Sequence, residues 1–383
     1  MIKIRMITYH TPKNYGAVWQ AVSLFSYLKH QTDDVKVIDF CTKIHKANYA
    51  ALKLSFRSGK AFALSVLALP HFWRKLKKNS KFDVFIHENL ELTQRYDSAE
   101  KLYCEQWEND VVFTTGSDQV FRPNLVEEHQ KINYLDFVPE NHYKFSYAAS
   151  FGVRTFPNEK EKKERIAQYL KKFNAISIRE KSGVEFVRDL CGREAVEVLD
   201  PVFLNERSFW ENLARPYLRK FERYLLYYRL LSSRDSDRFA MRVAKERNLK
   251  LIVVGDGLRR GLRNATFLRD VGPQELLTLY RDADFVTTTS FHGVALSLIF
   301  EKQFVFSNTH SGTNIRGLNL LEKAGILEQA VPKTYSAVNL IDYQAVNARL
   351  TVLKRQAKDF IDASLEEARQ WNAGKANDEN RKS

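Results

Sequence analysis

The residues of this chain best suited to chemistry each stand where an apolar run gives way to polar ones. In the stretch from Asp284 to Phe300, a strand-like run (Phe285 to Thr288) passes through Ser290-Phe-His-Gly293 into a helix-like run from Val294 to Phe300. At the carboxyl end of a parallel strand, the next helix presents open backbone N–H groups. His292 with Gly293 behind it can meet a phosphate there with an imidazole and an unobstructed backbone together. A helix-capping or half-buried histidine is the competing account. Gly116-Ser117-Asp118-Gln119 follows the apolar run Val111 to Thr115, so small residues and a carboxylate stand ready to bind hydroxyls or accept a proton. A capped turn explains the same residues. Arg179, in Ser177-Ile-Arg-Glu180, ends another strand with a guanidinium fork that suits carboxylate or phosphate. An ion pair with Glu180 or an Asp competes with that use. Asn14-Tyr15-Gly16 makes a phosphate-tolerant turn, with Asn14 as a cap and Gly16 allowing close approach. It is not GxGxxG, so it does not support a dinucleotide site.

The elements that must hold these residues alternate. Ile2 to Tyr9 reads as a strand and Asn14 to Leu28 as a helix, with Val18, Val22, Phe25 and Leu28 on its apolar period. Strands follow at Val35 to Phe40, Val111 to Thr115, Lys144 to Ala149, Ala175 to Ile178 and Ala195 to Leu199. Helices are expected over Asn158 to Lys172 and Lys181 to Leu190. The pattern loosens from Asn205 to Phe221 around Pro216, the natural linker. A second series opens at Arg223 to Arg229 and continues through Leu249 to Val254, Gly255-Asp-Gly257 and a helix from Pro273. Strands Phe285 to Thr288 and Phe304 to Ser307 follow, then a long helix from Ile341 to Trp371 and a polar tail expected to fray. The expectation is an α/β protein with two Rossmann-like domains and an interdomain cleft: 1–205, with a basic insertion at 40–94, and 222–335. Helices at 340–371 would pack back on the first domain.

With 383 residues the chain exceeds one hydrophobic core. Cys41, Cys104 and Cys191 lie too far apart for a CxxC or a zinc-ligand spacing, which argues for a reducing compartment and for no metal site. The amino terminus carries charges within its apolar run and reads as a strand rather than a signal peptide. A cytoplasmic protein is expected. The formal charge of +14 is uneven. Between Phe40 and Phe82 there is no acidic residue, and ten basic ones: Lys43, Lys46, Lys53, Arg57, Lys60, Arg74, Lys75, Lys77, Lys78 and Lys81. Around them lie the apolar stretch Ala61 to Pro70 and Phe72-Trp73. Such a segment suits an anionic membrane face, with the lysines at 75, 77, 78 and 81 making the contact. A buried helix with a solvated basic tail accounts for it equally. Pro70 is expected to end a short helix near Leu69. No nucleic-acid-binding pattern accompanies the charge.

Taken in order, six segments resemble the polysaccharide pyruvyl transferase family over nearly the full length. They are Asn14 to Gln20, Gly116 to Phe121, Ser146 to Gly152, Ser177 to Glu180, Leu199 to Leu204 and Ser290 to Gly293. Phe121 stands where members commonly carry Trp, and Phe291 where some branches carry Arg or Leu. The resemblance implies a fold like that of GT-B glycosyltransferases, with phosphoenolpyruvate as donor and a saccharide, free or lipid-linked, as acceptor. The product would be a pyruvate ketal in cell-surface or exopolysaccharide assembly, and no cofactor is implied. It places His292 on the donor phosphate as an acid, with Gly293 N–H and Ser290 beside it, and makes Arg179, then Arg229, clamps for the donor's anionic groups. Asp118 would orient or deprotonate the acceptor hydroxyl, while Asn14, Tyr15, Gly16, Gly116 and Ser117 line the site. Tyr147 and Asp200 read as support. The alternatives are a nucleotide-sugar glycosyltransferase, drawing on Asp256 or Glu275 for the ribose, and a non-catalytic scaffold.

Overall fold

The central strands of this protein, such as Val111–Thr115, Lys144–Ala149, Tyr224–Tyr228 and Phe285–Thr288, are buried at every residue, which is what a parallel sheet covered on both faces demands of its sequence. The computed structural model describes residues 2–42, 69–230, 234–255, 262, 264–307, 315–331 and 340–382. They form two compact units. One comprises Met1–Lys46, Ile86–Asn205 and Thr351–Ser383, and the other Ala47–Phe85 and Glu206–Leu350.

In the first unit, β1 (Lys3–Ile7), β2 (Val35–Phe40), β3 (Leu92–Tyr96), β4 (Val111–Thr115), β5 (Lys144–Ala149), β6 (Ala175–Ile178) and β7 (Val196–Glu197) make one sheet. Its order is β3-β2-β1-β4-β5-β6-β7, and every pairing is parallel. All five residues of β4 and all six of β5 are buried. Helix α1 (Tyr15–Lys29) follows β1 and is buried without a break from Tyr15 to Phe25. In the second unit, β8 (Tyr224–Tyr228), β9 (Lys250–Val254), β10 (Ala265–Leu268), β11 (Phe285–Thr288), β12 (Phe304–Ser307) and β13 (Ala330–Val331) run parallel in the order β10-β9-β8-β11-β12-β13. The expected α/β class and the two Rossmann-like sheets are present. No helix of the described residues is long and apolar enough to cross a membrane.

The expected linker, 205–221, begins where the chain passes from one unit to the other at Asn205, and it contains a helix, Arg207–Leu213, that carries the fully buried Trp210. Two expectations need correction. The polar tail does not fray at Asn372, because the last helix runs from Tyr343 to Lys382. Trp371 Nε1 donates to the Asn141 carbonyl at 3.1 Å and Asn372 Nδ2 to that of Asp110 at 3.1 Å, so polar side chains fasten it to the first unit. Pro70 does not end a helix at Leu69, since it lies within the helix Leu69–Asn89. The short helix expected before Leu69 lies outside the described residues, as do Lys43, Lys46, Lys53, Arg57, Lys60 and Asp256.

Candidate active site

In a doubly wound sheet the strand order reverses at one point, and the loops leaving the two strands there diverge to open a crevice. In the first unit that point lies between β1 and β4, and the loops are Thr8 to Asn14 and Gly116 to Asp118. Two of the sequence-derived segments thus flank one crevice. The loops are tied together: Gly116 N donates to the Ile7 carbonyl at 2.8 Å, and Thr8 Oγ1 donates to the Ser117 carbonyl at 3.4 Å. A Cβ on Gly116 would stand 3.0 Å from the Thr8 side chain, so the residue is small because the loops touch. Asn14 caps α1, accepting from Gly16 N at 3.0 Å. Tyr15 is buried against Trp19, with ring centroids 5.6 Å apart.

Along the same sheet edge, Arg179 follows β6 and lies among three carboxylates. Its Nη1 donates to Asp200 Oδ2 at 2.6 Å and to Ser117 Oγ at 3.3 Å, and Ser117 Oγ donates to Asp200 Oδ2 at 2.9 Å. Asp118 Oδ1 is 3.8 Å from Nη2, and Glu180 Oε2 is 4.0 Å from Nε. Burial works against the guanidinium charge, but Asp200, Asp118 and Glu180 outweigh it and hold the arginine above its usual pKa. Exposure separates the acids. The side chains of Asp200 and Glu180 are 0% and 4% exposed, whereas that of Asp118 is 20% exposed. Glu180 is occupied locally, accepting from Ser150 Oγ at 2.8 Å and Phe151 N at 2.9 Å. Asp118 is the member of this cluster that a solute can reach. Its backbone is also unusual, with φ 74°, fixed by bonds from Ser150 N and Val120 N to its carbonyl at 3.0 and 2.8 Å. Tyr147 and Asp200 act as support: the tyrosine hydroxyl donates to the Leu199 carbonyl at 3.0 Å, and Asp200 caps the turn at Pro201.

Sequence reasoning missed a second polar group on this edge. His10 follows β1 and is 2% exposed. Its Nδ1 lies 3.1 Å from the Thr8 carbonyl and its Nε2 3.3 Å from Asp39 Oδ1, at the end of β2. Asp39 Oδ2 accepts from Arg95 Nε at 2.8 Å. Burial raises the Asp39 carboxyl, and the bonds from His10 and Arg95 more than reverse this, leaving it below the usual range. The signal was available, since His10 stands at a strand end just as His292 does.

In the second unit the order reverses between β8 and β11, and Arg229 and Ser290 to Gly293 leave those two strands. Arg229 Nη1 is 3.3 Å from both oxygens of Asp237, which also accepts from Tyr227 Oη at 3.1 Å. Burial raises the Asp237 carboxyl against the opposing pull of Arg229 and Tyr227. Gly255 comes so near that a Cβ there would lie 2.2 Å from the Arg229 carbonyl oxygen. Across the reversal, Thr288 Oγ1 donates to the Tyr228 carbonyl at 3.0 Å and Leu230 N donates to Thr289 Oγ1 at 3.0 Å.

The helix Phe291–Ile299 is buried on all sides, with Ser290 at its N-cap and His292 in its first turn. Its first N–H groups point out of the helix end, where the dipole favours an anion. His292 is 7% exposed, its ring 5.0 Å from that of Phe291. Gly293 has a structural reason to be glycine: a Cβ would stand 2.0 Å from Thr288 Oγ1. The sequence-derived residues therefore assemble as two groups, one at the reversal of each sheet.

The family model for polysaccharide pyruvyl transferase matches residues 14–311. This chain belongs to the polysaccharide pyruvyl transferase family. No curated protein matches it. Among solved structures, it is similar to UDP-GlcNAc 2-epimerase from Neisseria meningitidis bound to UDP-GlcNAc, at 8% identity and a TM-score of 0.49, over 96% of this chain and 100% of that one. It is also similar to ADP-heptose LPS heptosyltransferase II of E. coli, at 11% identity and 0.38, over 93% and 99%. Medicago truncatula UGT71G1 complexed with UDP-glucose gives 9% and 0.43, over 96% and 94%. These likenesses are low, and the assignment rests on the family match. Of the two acids named for a nucleotide-sugar reading, Glu275 is taken up by Lys81 Nζ at 2.6 Å and Gly272 N at 2.8 Å.

Proposed function

We propose that this family member transfers the pyruvyl group of phosphoenolpyruvate to a saccharide as a ketal, during cell-surface or exopolysaccharide assembly. The observation that carries the reading is the family match over residues 14–311, which takes in Asn14, Asp118, Arg179, Arg229 and His292. In the reaction, a proton adds to the enol methylene and the first acceptor hydroxyl attacks the resulting oxocarbenium-like carbon. The second hydroxyl then displaces phosphate. Of the two hydroxyl protons, one balances that delivered to the methylene and the other leaves with phosphate.

The donor phosphate sits at the N-terminus of the helix Phe291–Ile299, with Ser290, His292 and the Gly293 N–H around it. His292 gives the proton, a step worth about 10²–10⁴-fold. Asp118 takes the proton of the acceptor hydroxyl, being the reachable acid of its group. Each guanidinium already has a carboxylate partner. We therefore assign Arg179 to holding Asp118 and Ser117, and Arg229 to bracing the loop after β8, in preference to direct clamping of the donor. Asn14, Tyr15, Gly16 and Gly116 shape the acceptor side.

The test is to incubate the protein with phosphoenolpyruvate and oligosaccharide acceptors, measuring released phosphate and the mass of the glycan. A product heavier by pyruvate less water, formed in step with phosphate and absent with His292→Ala, supports the reading. Thermal protection by nucleotide sugars, with none by phosphoenolpyruvate, would overturn it.

A further inference from the structure

Helix Leu69–Asn89 has two faces of opposite character. Lys78, Phe82 and Phe85 are buried. Lys81 Nζ anchors that side, donating to the Asp270 carbonyl at 2.8 Å and both Glu275 oxygens at 2.7 and 2.6 Å. A Cβ on Gly272 would press within 2.8 Å of Lys81 Cβ, so the helix is seated closely. Helical spacing puts Trp73, Leu76, Ser80 and Val84 together on the opposite face. There Trp73 is 73% exposed, Leu76 36% and Val84 43%. Lys77 lies beside Trp73 on this face and Arg74 flanks it, both exposed, whereas Lys75 is turned to the far side of the helix. Lys77 Nζ is also 3.5 Å from Asp270 Oδ2, and the first acidic residue of the helix is Asp83.

We propose that this exposed face docks on an anionic lipid surface, with Trp73 and Leu76 entering the headgroup region and Arg74 and Lys77 meeting the lipid phosphates. Charge complementarity identifies the anionic partner, since Arg74 and Lys77 flank the indole and the helix carries no acid before Asp83. The open indole and leucine select lipid over a soluble polyanion, because they gain only where apolar surface is on offer. Of the lysines expected at this contact, Lys77 alone lies on this face; Lys75, Lys78 and Lys81 are turned away from it, and Arg74 flanks it. The inference deepens the proposed function by putting the acceptor on a lipid carrier. It rests on that reading for the acceptor alone: vesicle binding is measured without donor or saccharide, so either can fail separately.

The experiment sediments the full-length protein with phosphatidylcholine vesicles, with and without phosphatidylglycerol, at low and high salt. Binding is expected only to the anionic vesicles and falls with salt. Trp73→Ser with Leu76→Ser should lower the partition coefficient at least tenfold at unchanged charge. Arg74→Ala and Lys77→Ala together should lower it about twenty-fivefold, at roughly fivefold per cation. Brominated lipid should quench part of the wild-type indole fluorescence, and Trp73→Phe should remove that part, a readout that tolerates a poorly folded double variant. No binding to anionic vesicles, or quenching unaffected by Trp73→Phe, overturns the proposal. Vesicle binding unchanged by Trp73→Ser and Leu76→Ser, together with equal retention on heparin, would mark a polyanion surface and overturn it too.

Discussion

Asp118 holds φ at 74° although it carries a Cβ, and its carbonyl bonds to Ser150 and Val120 keep it there. A non-glycine residue in that region costs roughly 1–3 kcal/mol, a strain that tends to gather at working sites. Function and stability should therefore part at this position. Asp118→Ala and Asp118→Gly are both expected to lose about 10²–10⁴-fold in kcat/KM. The glycine variant should nevertheless unfold at the higher urea concentration, by about 1 kcal/mol, since it relieves the backbone. Equal unfolding midpoints would mean the strain is not there. Asp118, Arg179 and His292 were legible in the sequence because each stands within four residues of the end of a strand-like run. Their partners were not: that Arg179 sits among three acids depends on β4, β6 and the segment before Pro201 converging, and Asp200 is 21 residues from the arginine it binds. His10 was overlooked for a related reason, since its partner Asp39 belongs to the neighbouring strand.

At the level of elements, the helix Phe291–Ile299 lies so close to β11 that position 293 has no room for a side chain. Gly293→Ala should destabilise the protein by about 1–3 kcal/mol through overpacking, quite apart from any effect on an anion at the helix end. Adding Thr288→Ala removes the hydroxyl that the new methyl meets at 2.0 Å. In a double-mutant cycle by urea unfolding, the pair should cost less than the sum of the singles. Strict additivity would show that the helix end shifts instead. The same packing explains which elements the sequence revealed. The interior strands β4, β5, β6, β11 and β12 coincide with apolar runs because both of their faces are covered. The strands that went unread, β3, β10 and β13, all lie at sheet edges. In β3 only Tyr96 is buried, and Thr93-Gln-Arg95 carries no apolar period to detect. The continuation of the last helix past Trp371 was equally hidden, since hydrogen bonds to Asn141 and Asp110 hold it, and those leave no hydrophobic trace.

For the molecule as a whole, buried ionisable groups give stability a predictable pH profile above neutrality. Lys144, 2% exposed, donates to the Val138 carbonyl at 3.1 Å, and burial pushes its ammonium down to about 8, with Lys172 adding to the effect. The unfolded chain keeps this proton up to its ordinary value of 10.5, so between pH 8 and 10.5 the unfolded state binds more protons and stability rises with pH. The full effect is on the order of 3 kcal/mol. Opposing it, burial raises Tyr134, Tyr147 and Tyr280 well above 10.0 in the folded state. Their contribution is complete below pH 10 and is lost above it, as the unfolded chain releases protons that the folded one retains. Stability should thus climb from pH 8 toward 10 and turn downward beyond. Urea midpoints across this range, compared between wild type and Lys144→Met, isolate the rising limb: the difference between the two proteins should change with pH from 8 upward and stay flat below 7. A difference independent of pH would mean that Lys144 keeps its proton in the fold as readily as in water.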